Sequence, residues 1–131
     1  MILSVCVDDR MGMSFGGRRQ SKDAAIRQKL LTLSGGSLRM SDYSARQFTE
    51  PVYHSPDYLS GANSGDWCFA ENSDYSSFAD RIVKIVLFRW NRHYPADVHF
   101  QFPGKWHLVQ TEDFPGSSHE KITMEVYEKC E

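Results

Sequence analysis

No apolar run in this chain is longer than Ile85-Val-Leu-Phe88, far short of the ~20 residues that span a bilayer, so no membrane helix is expected. A basic excess is missing too: 15 Lys and Arg stand against 17 Asp and Glu, for a formal net charge of -2. General nucleic-acid binding draws on a positive footprint, which this balance does not supply. Cysteine is scarce. Cys6, Cys68 and Cys130 are odd in number, far apart and in no pair with metal-ligand spacing, which argues against a zinc ribbon or a disulfide framework. The opening Met1-Ile-Leu-Ser-Val-Cys-Val7 meets Asp8-Asp9-Arg10 at once, without a basic leader or a small-residue cleavage site. It therefore reads as a buried strand rather than a signal peptide, and reduced thiols suit a cytoplasmic protein.

What is present is enough for one core. The chain has 131 residues, 40% of them hydrophobic and 24% charged, which predicts a single folded domain and argues against disorder. Ile2 to Val7 suits a strand buried on both faces. Gly12, Gly16 and Gly17 predict a loop, and Ser21 an N-cap with Asp23 in the first turn of a helix that Gly35-Gly36 ends. Ser37 to Met40 reads as a strand, Ser41-Asp42 caps a helix to Phe48, and Val52 to His54 reads as another strand. Pro56 predicts a short helix through Leu59. Trp67 to Ala70 reads as a strand and Tyr75 to Asp80 as a short helix.

From Ile82 onward the pattern is strand only. The β-branched stretch 82–90 predicts a central strand, and Trp106 to Phe114 with Glu120 to Glu128 an antiparallel pair. Strand-helix alternation followed by strands alone predicts an α/β fold: a three-layer mixed sheet, parallel in its first half, with an antiparallel C-terminal strand pair.

Two segments could carry chemistry. Gly16-Gly17-Arg18-Arg19-Gln20-Ser21-Lys22-Asp23 sets three cations between a glycine pair and a helix start, where free N–H groups favour anions. Arg18, Arg19, Gln20, Ser21 and Asp23 are thus candidate ligands for a small anionic molecule. The competing reading is solvated arginines paired with Asp8, Asp9 or Asp23. Trp90-Asn91-Arg92-His93-Tyr94-Pro95 adds Arg92 and His93 at a strand end, where α/β sheets bind ligands, or else forms a well-ordered turn. Ser118-His119-Glu120 cannot align as a triad because the residues are adjacent, so a structural role is expected for His119. Trp67, Trp90 and Trp106 read as core. Asp8 and Asp9 lack partners at metal-ligand spacing, and no metal is expected.

The order of Asp97-Val-His-Phe100, a Trp106-led strand and Ser118-His119 before the last strand resembles the end of dihydrofolate reductase. Asp9-Arg-Met-Gly12 resembles the opening of that family's mobile loop. The resemblance implies its three-layer fold. It also locates departures: Glu71-Asn72 stands where the family has the Gly-Gly that admits the cofactor's phosphates, and Ser41-Asp42 where it has Gly-Arg. Arg19 occupies the loop's Trp position, and Asp23, or Ala24 without a gap, the place of the substrate carboxylate. Asp23 is therefore the one catalytic candidate, and no cofactor is expected. The chain is also similar to short bacterial proteins of unknown function, some labelled ribonuclease Z. That activity needs a His-x-His-x-Asp-His cluster, and His54, His93, His99, His107 and His119 include no such pair. The expected function is binding of a small anionic or nucleotide-like ligand, or of a protein partner, without reductase activity. An NADPH-dependent reductase with an altered site is the alternative, and a nuclease or phosphoryl-transfer enzyme a remoter one.

Overall fold

Strand β1 (Ile2–Val7) is buried on both faces, which is why its sequence is a nearly unbroken apolar run. It lies parallel between β6 (Trp67–Phe69) and β7 (Lys84–Arg89), with Ile2 opposite both Trp67 and Lys84. Around this trio the computed structural model, which describes residues 1–130, builds a seven-stranded sheet. Its remaining strands are β4 (Leu38–Met40), β5 (Tyr53–His54), β9 (Trp106–Phe114) and β10 (Ile122–Lys129). The order is β5-β4-β6-β1-β7-β10-β9, with β10 antiparallel to both β7 and β9 and the others parallel. The expected mixed sheet is present. Its middle strand is β1, however, and the 82–90 stretch supplies the strand beside it, beginning only at Lys84.

The two faces bury separate clusters. On one, helix α1 (Ala24–Ser34) sets Ile26 and Leu30 against Met40, Phe69, Phe88 and Ile122. On the other, Leu3, Val5, Ile85 and Leu87 pack beneath Tyr58, Tyr75 and Phe100. That second layer is thin, built from a 3-10 helix (Ser76–Arg81) and loops. Trp67 and Trp90 are core residues, and Trp106 is half-buried against the second cluster.

Several local expectations are corrected. The cap of α1 is Asp23 rather than Ser21: its extended backbone and a carboxylate accepting the Ala25 N–H at 2.8 Å close the first turn. Gly35, at φ 58°, ends the helix in the left-handed conformation. Helix α2 (Asp42–Ala45) stops three residues short of Phe48. Its continuation tightens into i→i+3 bonds, which turn Phe48 into the core. Pro56 to Leu59 forms turns rather than a helix, with Tyr58 and Leu59 both buried. The short helix of the 75–80 region is of 3-10 type.

The glycine-rich segment is not a loop. It is a hairpin of β2 (Gly12–Phe15) and β3 (Arg18–Arg19), and β8 (Val98–His99) extends it into a three-stranded sheet. Gly16 and Gly17 take φ of 59° and 75°, the left-handed pair that a two-residue hairpin turn requires. No helix among the described residues is long and apolar enough to cross a membrane. The three cysteines are free thiols, and burial pushes Cys68 up to about 11.

The packing of α1 predicts a contrast. Leu30 is fully buried, whereas Leu33, one turn on, is 41% exposed. Leu30→Ala should cost about 2–5 kcal/mol in urea denaturation, and Leu33→Ala less than about 1 kcal/mol.

Candidate functional site

The chain leaves β1 for β4 across the α1 face, and leaves β6 for β7 across the opposite face. The carboxyl ends of β1 and β6 therefore flank a topological switch point, the usual crevice for a ligand in an open α/β sheet. Three polar clusters fill this end of the sheet.

The first is built around Asp23, which is 2% exposed. Its Oδ1 accepts the Ser117 N–H at 2.8 Å and the Ala25 N–H at 2.8 Å. Its Oδ2 accepts the Ser118 N–H at 2.9 Å and lies 2.9 Å from His119 Nδ1. Burial opposes ionisation here, but these N–H donors and the His119 ring outweigh it and hold the carboxyl far below the usual range. His119, 5% exposed, stacks on Trp90 with ring centroids 4.6 Å apart. Its Nε2 faces two hydroxyls, Tyr94 Oη at 2.9 Å and Ser21 Oγ at 3.2 Å. Gly116 is required for this closeness, because a Cβ there would lie 2.6 Å from Asp23 Oδ2.

Glu71, just past β6, centres the second cluster. Its buried carboxylate takes Arg19 in a two-point grip, Nε to Oε2 at 2.9 Å and Nη2 to Oε1 at 3.1 Å. Ser44 Oγ and Gln47 Nε2 also donate to Oε1, at 2.8 and 3.0 Å. The Arg19 guanidinium lies 4.3 Å over the Tyr43 ring, and the pairing with Glu71 raises its pKa against the opposing effect of burial.

Asp8, just past β1, holds the third. It accepts N–H groups of Gly12 at 2.7 Å, Arg10 at 2.9 Å and Tyr94 at 3.2 Å, with Gln20 Nε2 at 3.1 Å. Burial would raise its pKa, yet these donors lower it.

The candidate residues thus separate. Ser21 and Asp23 meet in the first cluster, Arg19 is committed to the second, and Gln20 braces the third. Arg18 is exposed on the hairpin, and Arg92 and His93 are exposed beyond β7, with His93 Nδ1 3.9 Å from Asp8 Oδ2. The two arginines of the loop do not converge on one point. Among the described residues no His, Cys, Asp and Glu side chains gather as three or more potential metal ligands. His119 and Glu71 organise the site without having been expected to. The one sequence signal for His119 is the run of small polar residues Ser117-Ser118 before it, which leaves room for a buried acceptor.

Away from these clusters, a cleft of about 480 Å³ opens between the 72–76 segment and residues 98–103. Met13, Tyr75, Val98 and Phe102 give it apolar walls, while Asn72, Asp74, His99 and Gln101 give it a polar lip. His99, for which the resemblance to dihydrofolate reductase implies a loop-fixing role, is exposed here in β8.

Compared with solved structures, the chain is similar to dihydrofolate reductase from Enterococcus faecalis complexed with NADP(H) and RAB-propyl. The TM-score is 0.65, and the match covers 100% of this chain and 97% of that one at 10% identity. The chain has the dihydrofolate reductase fold. No protein-family model matches it, and no curated protein matches its sequence.

The residues of this dihydrofolate-reductase-like chain do not fit the nicotinamide cofactor that the fold suggests. A pyrophosphate at the end of β6 would meet the Glu71 carboxylate, whose cation is already engaged. The start of α2 is capped by Ser41 Oγ, which accepts the Ser44 N–H at 3.2 Å, and it carries the acidic Asp42.

Two outcomes follow for stability. Arg19→Ala strands a buried carboxylate and should cost on the order of 3 kcal/mol, with Arg19→Ala/Glu71→Gln costing less than the sum of the single changes. Asp23, depressed in the folded state, contributes stability above the unfolded carboxyl value of about 3.9 and loses it as pH falls through the lower folded value. The urea midpoint should therefore hold at neutral pH and fall below about pH 4. Asp23→Asn should be less stable at pH 7, with a shallower acid decline.

Proposed function

We propose that this chain is a binding domain for a small aromatic metabolite carrying an anionic group, without NADPH-dependent reductase activity. One observation carries the reading: the crevice at the end of β6 is occupied by the chain's own Arg19–Glu71 pair, while a separate cleft stands open. At about 480 Å³ the cleft lies within the roughly 300–1,000 Å³ of small-molecule sites. Tyr75 and Phe102 offer apolar surface to a flat ring, and the lip offers hydrogen bonds to its edge.

The anionic end is assigned to Arg18. The residues lining the cleft include no Lys or Arg, so a negative group must reach its rim. Asn72 Nδ2 donates to the Gly17 carbonyl at 3.0 Å, which ties the hairpin tip to the lip and puts the exposed Arg18 next to it in the chain. The reductase alternative rests on fold, and fold does not carry function with it.

Thermal-shift screening of nucleotides, pterins and phosphosugars tests the reading, because a ligand at 100 times its Kd stabilises the fold by about 2.7 kcal/mol. An aromatic anion should raise Tm. Arg18→Ala should weaken it by roughly tenfold, the value of one charge-assisted hydrogen bond, and leave the neutral parent ring unaffected. Fluorescence titration with NADPH should give no saturable binding; micromolar affinity or better would sink the reading.

A further inference from the structure

We propose that Ser21, His119 and Asp23 form a nucleophilic site that cleaves short acyl esters, a second activity apart from the binding cleft. The three residues come from two places, the approach to α1 and the turn between β9 and β10, and folding brings them into one line. Asp23 Oδ2 lies 2.9 Å from His119 Nδ1, and His119 Nε2 lies 3.2 Å from Ser21 Oγ. This is the order of contacts in which a carboxylate orients an imidazole and the imidazole takes a proton from a hydroxyl.

The surroundings fit those roles. Asp23 is anionic and fully bonded, so it fixes the ring tautomer with the proton on Nδ1 and leaves Nε2 as an acceptor shared by the Tyr94 and Ser21 hydroxyls. Trp90 stacks on the ring and sets its plane. Pinning the turn to the helix needs only the carboxylate and the three N–H groups it accepts; it does not need two hydroxyls on the far nitrogen. Of those hydroxyls, Ser21 Oγ is the small aliphatic one on a partly buried residue. The N–H groups of Lys22 and Asp23, directly after it, meet no acceptor among the described residues. In the proposed site they serve as the donors to the developing oxyanion.

The chemistry balances without a metal or co-reactant other than water. Ser21 Oγ bonds to the ester carbonyl carbon as its proton passes to His119 Nε2. The carbon–oxygen bond to the leaving alcohol then breaks, and the alcohol takes the proton from His119. Water repeats the sequence on the acyl-serine and releases the carboxylic acid. Trp90, whose ring stacks on His119, also lines a shallow pocket of about 230 Å³ with Arg92, Glu120 and Lys121. Its size limits the acyl group to a few carbons.

Labelling with a fluorophosphonate, followed by peptide mass mapping, and hydrolysis of p-nitrophenyl acetate test the proposal on the whole chain. A single adduct at Ser21 is expected, absent in Ser21→Ala, and esterase turnover should fall by roughly a hundredfold or more in that variant. Ser21→Ala removes one hydroxyl from a partly buried residue, so its circular dichroism and Tm should match the wild type. His119→Gln should also lose the label, and mapping the reaction by unfolding midpoint separates lost chemistry from a lost fold. No adduct on folded wild-type protein, an adduct at Tyr94 instead, or p-nitrophenyl acetate turnover unchanged in Ser21→Ala would each overturn it.

Discussion

A buried, ionised carboxylate holds this end of the molecule together. Asp23 closes the first turn of α1 with one oxygen and, with both, gathers the N–H groups of the turn that joins the last two strands. An isolated buried charge would be costly, and only the convergence of several donors makes it stable. The consequence is mechanical. The helix covering one face of the sheet cannot shift without dragging the β9–β10 turn, and His119 and Trp90 are locked between them.

The second buried carboxylate shows the same logic used against a ligand. Glu71 stands where the fold offers a crevice, and the chain answers it with Arg19, Ser44 and Gln47 rather than leaving the position for an outside anion. A protein that supplies both members of an ion pair at its own switch point has closed that point. The cleft whose lip carries Asn72 and Gln101 lies outside that ion pair.

Much of the architecture was legible in the residues, because burial on both faces leaves a plain mark. Ile2 to Val7 and Lys84 to Arg89 could hardly be anything but interior strands, and the shift from alternating elements to strands alone located the antiparallel end. What misled was chemistry decided by distant partners. Ser21 and Asp23 are both good caps, and only the Ser117–His119 turn, far off in sequence, selects the carboxylate. Arg18 and Arg19 read alike, yet neighbouring strand residues point to opposite sides, so one meets Glu71 and the other solvent. The glycine hairpin reads as a loop because its second strand is only Arg18–Arg19 and its third, Val98–His99, lies some eighty residues later. The partners of His119 other than Ser118 lie 25 to 98 positions away in the chain, which no local pattern around it reveals.

The position of β1 bears on how the protein is made. The middle strand of the sheet is made before both of its neighbours, which begin at Trp67 and Lys84. At about 5–20 residues per second, the Ile2–Val7 strand waits on the order of four to sixteen seconds for its second partner to be synthesised. β6 can cover one edge once Trp67–Phe69 is made, so the other edge of this apolar strand stays available to any other chain until β7 arrives.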